Sequence, residues 1–209
     1  MKNGGIPIAA EGWPFIGPLA LVTALLFAFG LRTSASVLLA ITLFVLFFFR
    51  DPERVVPEGK GLVVAPADGK VIVVKDVYEP DYLKQDVKQI SIFLSVFNVH
   101  VNRVPLGGTV ETVKYIPGKF LVASADKAST DNEQTAMVIS AGKDRILVKQ
   151  IAGIIARRVV CYAKPGDRVQ TGERYGLVRF GSRVDLFLPK DADLMVAVGD
   201  RIKGARDVI

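Results

Sequence analysis

One histidine and one cysteine stand in the whole chain, and those two counts narrow the chemistry at once. Metal sites generally draw on two or more His or Cys ligands, so His100 and Cys161, far apart in the chain, argue against a metal centre. His100 lies in Phe97-Asn98-Val99-His100-Val101-Asn102-Arg103-Val104-Pro105, at the end of the apolar run ISIFLSVF. A lone histidine there reads either as a structural residue or as a general base working near neutral pH. Cys161, inside Val159-Val160-Cys161-Tyr162, reads as a small buried hydrophobe, and a single cysteine allows no internal disulfide. Two further segments place polar residues among apolar ones: Val64-Ala65-Pro66-Ala67-Asp68-Gly69-Lys70-Val71, and Val178-Arg179-Phe180-Gly181-Ser182-Arg183-Val184-Asp185. A Gly-Ser pair alone carries no signal. GxGxxG, P-loop, CxxC and HExxH patterns are all missing from the sequence.

The elements that must position these residues fall into two groups. Apolar residues make up 50% of the chain and 19 of its 209 residues are glycine, above the roughly 45–50% that the two together make up in soluble domains. Residues 15–31 (FIGPLALVTALLFAFGL) and 35–49 (ASVLLAITLFVLFFF) carry no charge. As helices these runs span about 25 and 22 Å, against about 30 Å of hydrocarbon. One continuous helix would bury Arg32 near the bilayer centre at high cost, so residues 1–50 read as a membrane hairpin with Arg32 at its turn. Lys2, Arg50 and Arg54 lie outside the runs and place both ends in the cytoplasm. A secretory signal fits less well, because a single cation, Lys2, precedes the first run and a second apolar run follows directly. A buried pair of core helices fits poorly with a run as uniformly apolar as LFVLFFF.

After Arg50 the character changes. Residues 51–61 form a charged linker punctuated by Pro and Gly. Beyond it come short Val/Ile-rich segments at 61–66, 70–77, 89–95, 108–115, 134–140, 144–151, 174–180, 183–188 and 194–199, with turn signals such as Asp68-Gly69 and Pro165-Gly166-Asp167. Residues 62–209 are therefore expected to form a mainly β domain, a barrel or sandwich with little helix. The net charge is +6. Without a Lys/Arg run or aromatic–basic interleaving, that charge suits an anionic membrane surface better than nucleic acid.

Two resemblances follow from particular residues. The Ala65-Pro66-x-x-Gly69-x-Val71 segment, with Lys164-Pro165-Gly166-Asp167-Arg168-Val169-x-x-Gly172-Glu173, resembles biotinyl/lipoyl-type barrel-sandwich domains, whose modified lysine would correspond to Lys127 in Asp126-Lys127-Ala128. A more specific likeness rests on an ordered set: Pro66-Ala67-Asp68-Gly69, then Leu94-Ser95 leading to Val99-His100-Val101-Asn102-Arg103-x-Pro105, then Phe180-Gly181-Ser182-Arg183 near the C-terminus. The set resembles the phosphatidylserine decarboxylases in their short prokaryotic form, over essentially the whole chain. Asn132-Glu133 is similar to that family's Asn-Glu-Arg stretch, with Gln134 where the arginine is expected.

That resemblance implies a proenzyme cleaved between Gly181 and Ser182 into chains 1–181 and 182–209, with Ser182 converted to a covalent pyruvoyl group and no metal required. It implies Ser182 as the nucleophile, with His100 and Asp68 as base and orienting partner. It implies decarboxylation of phosphatidylserine to phosphatidylethanolamine at the bacterial inner membrane, with the catalytic domain facing the cytoplasm and a homodimer as the assembly. Longer relatives carry a second histidine where Arg103 stands, so His100 serves both steps here or another group is recruited. Arg103, Arg183 and Asn132 are the candidates for holding the head group, the arginines through their fit to phosphate or carboxylate. A membrane-tethered barrel-sandwich module that binds without catalysis, and the same chemistry on an archaeal-type ether lipid, are the two alternatives.

Overall fold

The computed structural model describes residues 7–118, 131–153, 159–179 and 181–209, and the chain divides into two compact units, Met1–Glu53 and Arg54–Ile209. The boundary falls inside the expected 51–61 linker.

The first unit is a helical hairpin. After a short 3-10 turn at Ala10–Gly12 come α1, Trp13–Ala28, and α2, Arg32–Phe48. The chain reverses at Gly30, whose φ of +76° is a left-handed value that favours glycine. Arg32 is the first residue of α2, at the turn where its charge placed it. Thr23 and Thr42 face each other across the helices with hydroxyls 3.3 Å apart, each also bonded to its own helix through the carbonyls of Leu19 and Leu38. Gly12 admits the close approach of Phe49, since a Cβ there would lie 2.7 Å from that ring's first carbons. Leu21, Leu25, Phe29 and Val37 are all exposed, so the helices are apolar on faces with no protein partner. By length and composition the helix over Ala10–Ala28 can cross a membrane, and Arg32–Phe48 is shorter.

The second unit is mainly β, as the segment pattern indicates. Its strands are β1 (Gly69–Glu79), β2 (Gln85–Leu94), β3 (Val101–Arg103), β4 (Gly108–Ile116), β5 (Gln134–Ala141), β6 (Asp144–Ile151), β7 (Val159–Cys161), β8 (Arg168–Val169), β9 (Arg174–Val178), β10 (Ser182–Pro189) and β11 (Arg201–Ile202). Eight form a curled antiparallel sheet in the order β11-β1-β2-β10-β6-β5-β4-β8, and β3-β9-β7 form a second. Alternation decides the faces. Ile90, Ile92, Met137, Ile139, Ile146, Val148, Val184 and Leu186 point inward to one core, while Val87, Ala136, Val138, Leu147 and Phe187 make a smaller cluster on the reverse side.

Two expected strands, 61–66 and 194–199, do not form. Val64 makes only an isolated bridge to Val208, and Met195 donates to the Ile209 carbonyl. Their backbone groups are divided among several partners, Val64 N–H donating to Pro105, Ala65 N–H to Asp207 and Gly199 N–H to Val71, so neither gains a ladder. Four strands of two or three residues (β3, β7, β8 and β11) are too short to show a period.

β10 sits centrally, bonded to β2 from Ser182↔Leu94 to Pro189↔Val87 and to β6 from Arg183↔Ile151 to Phe187↔Leu147. On its reverse face the Arg183 guanidinium donates to Asp185 at 2.6 Å and to Ser91 Oγ at 2.7 Å, and Gln89 donates to Asp185 at 3.2 Å. Arg183 and Asp185 are both fully buried, so each charge depends on the other. Asp185→Ala, which strands the guanidinium, should cost about 3–5 kcal/mol in urea unfolding. The double replacement Arg183→Met with Asp185→Leu should recover most of that loss.

Candidate active site

The antiparallel registers align one row of residues across the end of the large sheet. Ser182 faces Leu94 on β2, and extending the β6 pairing by one residue sets it against Ala152. Continued outward, the row runs through Glu133, whose carbonyl accepts from the Ala152 N–H at 2.9 Å, and on the other side through Gly69, which faces Ile202. Ser182 therefore occupies the middle of a row whose ends bring in the Asn132-Glu133 and Asp68-Gly69 segments. The second sheet closes over it: the His100 carbonyl accepts from Val178 N–H at 3.3 Å, and Asn102 pairs with Gly176. Val178 packs against Ala152 and Val159.

Ser182 is completely buried, and its Oγ has no hydrogen-bond partner among the described residues. The preceding residue, Gly181, has φ of +61°, with nothing within 4 Å of the place a Cβ would occupy. A side chain there would fit the space but strain the backbone. A left-handed glycine thus delivers the chain to a buried hydroxyl that the fold itself does not use.

His100 is completely buried, and its Nδ1 lies 3.0 Å from the Asn98 carbonyl. A carbonyl can only accept, so the neutral ring carries its proton on Nδ1 and its basic lone pair on Nε2. Asn98 also pins the turn before it, its Oδ1 accepting from Ser95 N–H and Oγ at 2.9 and 2.7 Å.

Asp68 is buried, but its carboxylate goes elsewhere. It accepts from Arg54 at 2.8 and 3.1 Å and from the Gly204 N–H at 2.8 Å. Among the described residues no hydrogen bond joins Asp68 to His100, whose ring is oriented by Asn98 instead. Gly69 is two strands from Ser182, about 10 Å at the usual strand spacing, so Asp68 holds the margin of the row.

The head-group candidates separate. Asn132 is completely buried and donates to the Ala152 carbonyl at 2.7 Å, bracing the strand position beside Ser182. Arg103 is buried on β3 and donates to the Gly172 carbonyl at 3.3 Å. Arg183 follows Ser182 directly and so points to the opposite face, where Asp185 and Ser91 take up its charge. Lys127, the lysine of the carrier reading, and Phe180 of the cleavage motif lie outside the described residues, as does Lys2.

A family model described as phosphatidylserine decarboxylase matches residues 41–209. The phosphatidylserine decarboxylase proenzyme of Geotalea uraniireducens is 45% identical over 210 residues, covering 100% of this chain and 98% of its own. The proenzyme so named from Syntrophotalea carbinolica is 49% identical over 204 residues, covering 97% and 95%. That from Polynucleobacter asymbioticus is 47% identical over 195 residues, covering 93% and 90%. The chain belongs to the phosphatidylserine decarboxylase family.

Membership makes it a decarboxylase of phospholipid metabolism, and the motif set that pointed there lies within the matched span. Two buried amides that the sequence does not single out as site residues, Asn102 on β3 and Gln150 on β6, bond to each other at 2.8 Å. Gln150 looks like an ordinary member of the strand RILVKQI. The one signal for the contact is Gly176, because a Cβ there would lie 2.6 Å from Gln150 Nε2.

Cys161, opposite Gly176, is held away from this chemistry. Burial pushes its thiol up to about 11, against a smaller lowering from a backbone hydrogen bond of Ala163. The folded protein should therefore resist alkylation by iodoacetamide at pH 8 and react promptly in denaturant, as followed by mass. Because the unfolded thiol ionises near pH 9 and the folded one does not, this residue's contribution to stability should fall as pH rises from about 9 to 11.

Proposed function

We propose that this chain is the precursor of a pyruvoyl-dependent enzyme that converts phosphatidylserine to phosphatidylethanolamine and carbon dioxide, and that it makes its reactive group by breaking its own Gly181–Ser182 bond. The observation that carries the reading is the buried Ser182 Oγ, without a hydrogen-bond partner among the described residues and set directly after a left-handed glycine. The names of the relatives, which describe proenzymes acting on phosphatidylserine, support it.

Ser182 Oγ attacks the Gly181 carbonyl, and the amide becomes an ester as the chain shifts from nitrogen to oxygen. His100 Nε2 is the base that takes the hydroxyl proton and returns it to the departing nitrogen. Removal of the Ser182 Cα proton then expels the Gly181 carboxylate and leaves a dehydroalanyl terminus. Water hydrolyses that terminus to the pyruvoyl group and releases ammonia. The site suits such a group: a short terminus replaces a hydroxyl already enclosed by protein, and the row through Leu94 and Ala152 fixes its direction. When present, the group supplies a carbonyl that condenses with the substrate amine and accepts the electrons freed by loss of carbon dioxide.

In this reading His100, its ring held by the Asn98 carbonyl, delivers the proton that replaces the lost carboxylate. Asp68 acts at one remove, anchoring Arg54 and the Gly204 turn beside the strand row. The apolar α1 is the candidate anchor, and the cations flanking the apolar runs support a cytoplasmic catalytic unit. An anchored site meets a diacyl lipid by lateral diffusion.

Intact mass measurement of the purified protein should show fragments 1–181 and 182–209, the second blocked to N-terminal sequencing, while Ser182→Ala gives one uncut chain. An uncut, folded, wild-type chain would sink the proposal. His100→Ala should slow turnover of any processed protein by about 10²–10⁴-fold.

A further inference from the structure

Gln150 and Asn102 leave hydrogen-bonding capacity unspent in a place where that is costly. Gln150 Nε2 donates to Asn102 Oδ1 at 2.8 Å and to the Val160 carbonyl at 3.2 Å. Both side chains are essentially inaccessible to solvent, at 1% and 0% exposure. Because the Val160 carbonyl can only accept, the nearby end of Gln150 must be its NH2. Its other partner must then also be an acceptor, so Asn102 presents Oδ1 and turns its own NH2 away. That NH2 and Gln150 Oε1 have no partner among the described residues, and neither does Ser182 Oγ.

These atoms share a location. Gln150 lies two residues before Ala152, the neighbour of Ser182, so it projects from the same sheet face about 7 Å along the strand. Asn102 reaches it from the second sheet, opposite Gly176. An unspent buried donor or acceptor is costly, and here one of each sits near the serine.

Resting on the function proposed above, we infer that Asn102 and Gln150 form the subsite for the α-amino-carboxylate of the serine head group. Asn102 Nδ2 donates to the carboxylate, and Gln150 Oε1 accepts from the amine. The chemistry favours a neutral amide in this role. The carboxylate loses its charge as carbon dioxide departs, so a guanidinium would stabilise the bound substrate more than the transition state. Of the two arginines considered for the head group, Arg103 donates to the Gly172 carbonyl and Arg183, on the far face, to Asp185.

The test uses the full-length Ser182→Ala chain, which binds without reacting, and calorimetry with two soluble head groups, glycerophosphoserine and glycerophosphoethanolamine. The serine compound should bind about tenfold more tightly. Adding Asn102→Asp, which sets a like charge against the carboxylate, should abolish that preference while leaving ethanolamine binding within about twofold. Gln150→Met should weaken both compounds together through the lost amine acceptor. Thermal unfolding checks each variant, and Asn102→Leu replaces Asn102→Asp if the latter does not fold. Equal affinity for the two compounds, no binding of either, or a preference that survives both Asn102 variants would overturn the inference. The proposed function fails separately, through an unprocessed wild-type chain, which these binding measurements do not touch.

Discussion

A left-handed glycine immediately before a fully buried serine, at the first residue of a central strand, is the constraint around which the catalytic unit is arranged. Buried polar atoms in folded proteins are nearly always paired, and Ser182 Oγ has no partner among the described residues. Its neighbours on the same strand are spent on ordinary stability: Val184 and Leu186 on the main core, Arg183 and Asp185 on each other. The unusual position is thus a single residue long, and rigidity on every side holds it in place. Gly69, Leu94 and Ala152 share its row across the large sheet, and the small second sheet lies opposite through the Asn102–Gln150 bond.

Division of labour between the two faces of β10 explains why the site tolerates so few charges. The face carrying Ser182 holds amides and aliphatic groups, with Asn102, Gln150, Ala152 and Val178 near it. Among the described residues, two buried ion pairs lie off that face, Arg183 with Asp185 on the reverse side and Arg54 with Asp68 at the margin. Charges kept out of an enclosure leave its field to be set by hydrogen bonds, which act strongly where water is excluded.

Much of this was legible in the sequence. Segments such as QTAMVIS, DRILVKQI and SRVDLFLP alternate clearly enough to announce strands, and the β5–β6 hairpin turns at Gly142 with φ of +67°. The hairpin helices followed from two uncharged runs and an intervening arginine. His100 and Ser182 stood out through the ordered motifs. The roles of the arginines did not, because Arg183 looks like a cation at a strand end until its partner 92 residues away is brought alongside. Asp68 was assigned to His100 for the same reason: sequence order cannot show that Arg54 reaches it first. Asn102 and Gln150 were hidden because an amide in a Val/Ile strand reads as a surface position, and only the packing of two sheets turns it inward.

The ladders on both sides of β10 carry a consequence for how such a protein is switched on. On the proposed cleavage, the piece released from residue 182 onward keeps a central strand of the large sheet, the edge strand β11 and the tail that binds Val63 and Met195. It remains locked in the sheet as a non-covalent subunit. The bond to be broken also has its geometry only once both neighbouring strands are in register, since those pairings alone bring Ser182 beside Leu94 and Ala152. A chain that has folded wrongly cannot arm itself. Activation of this kind inspects its own workmanship, and no separate protease is needed to tell a finished enzyme from a faulty one.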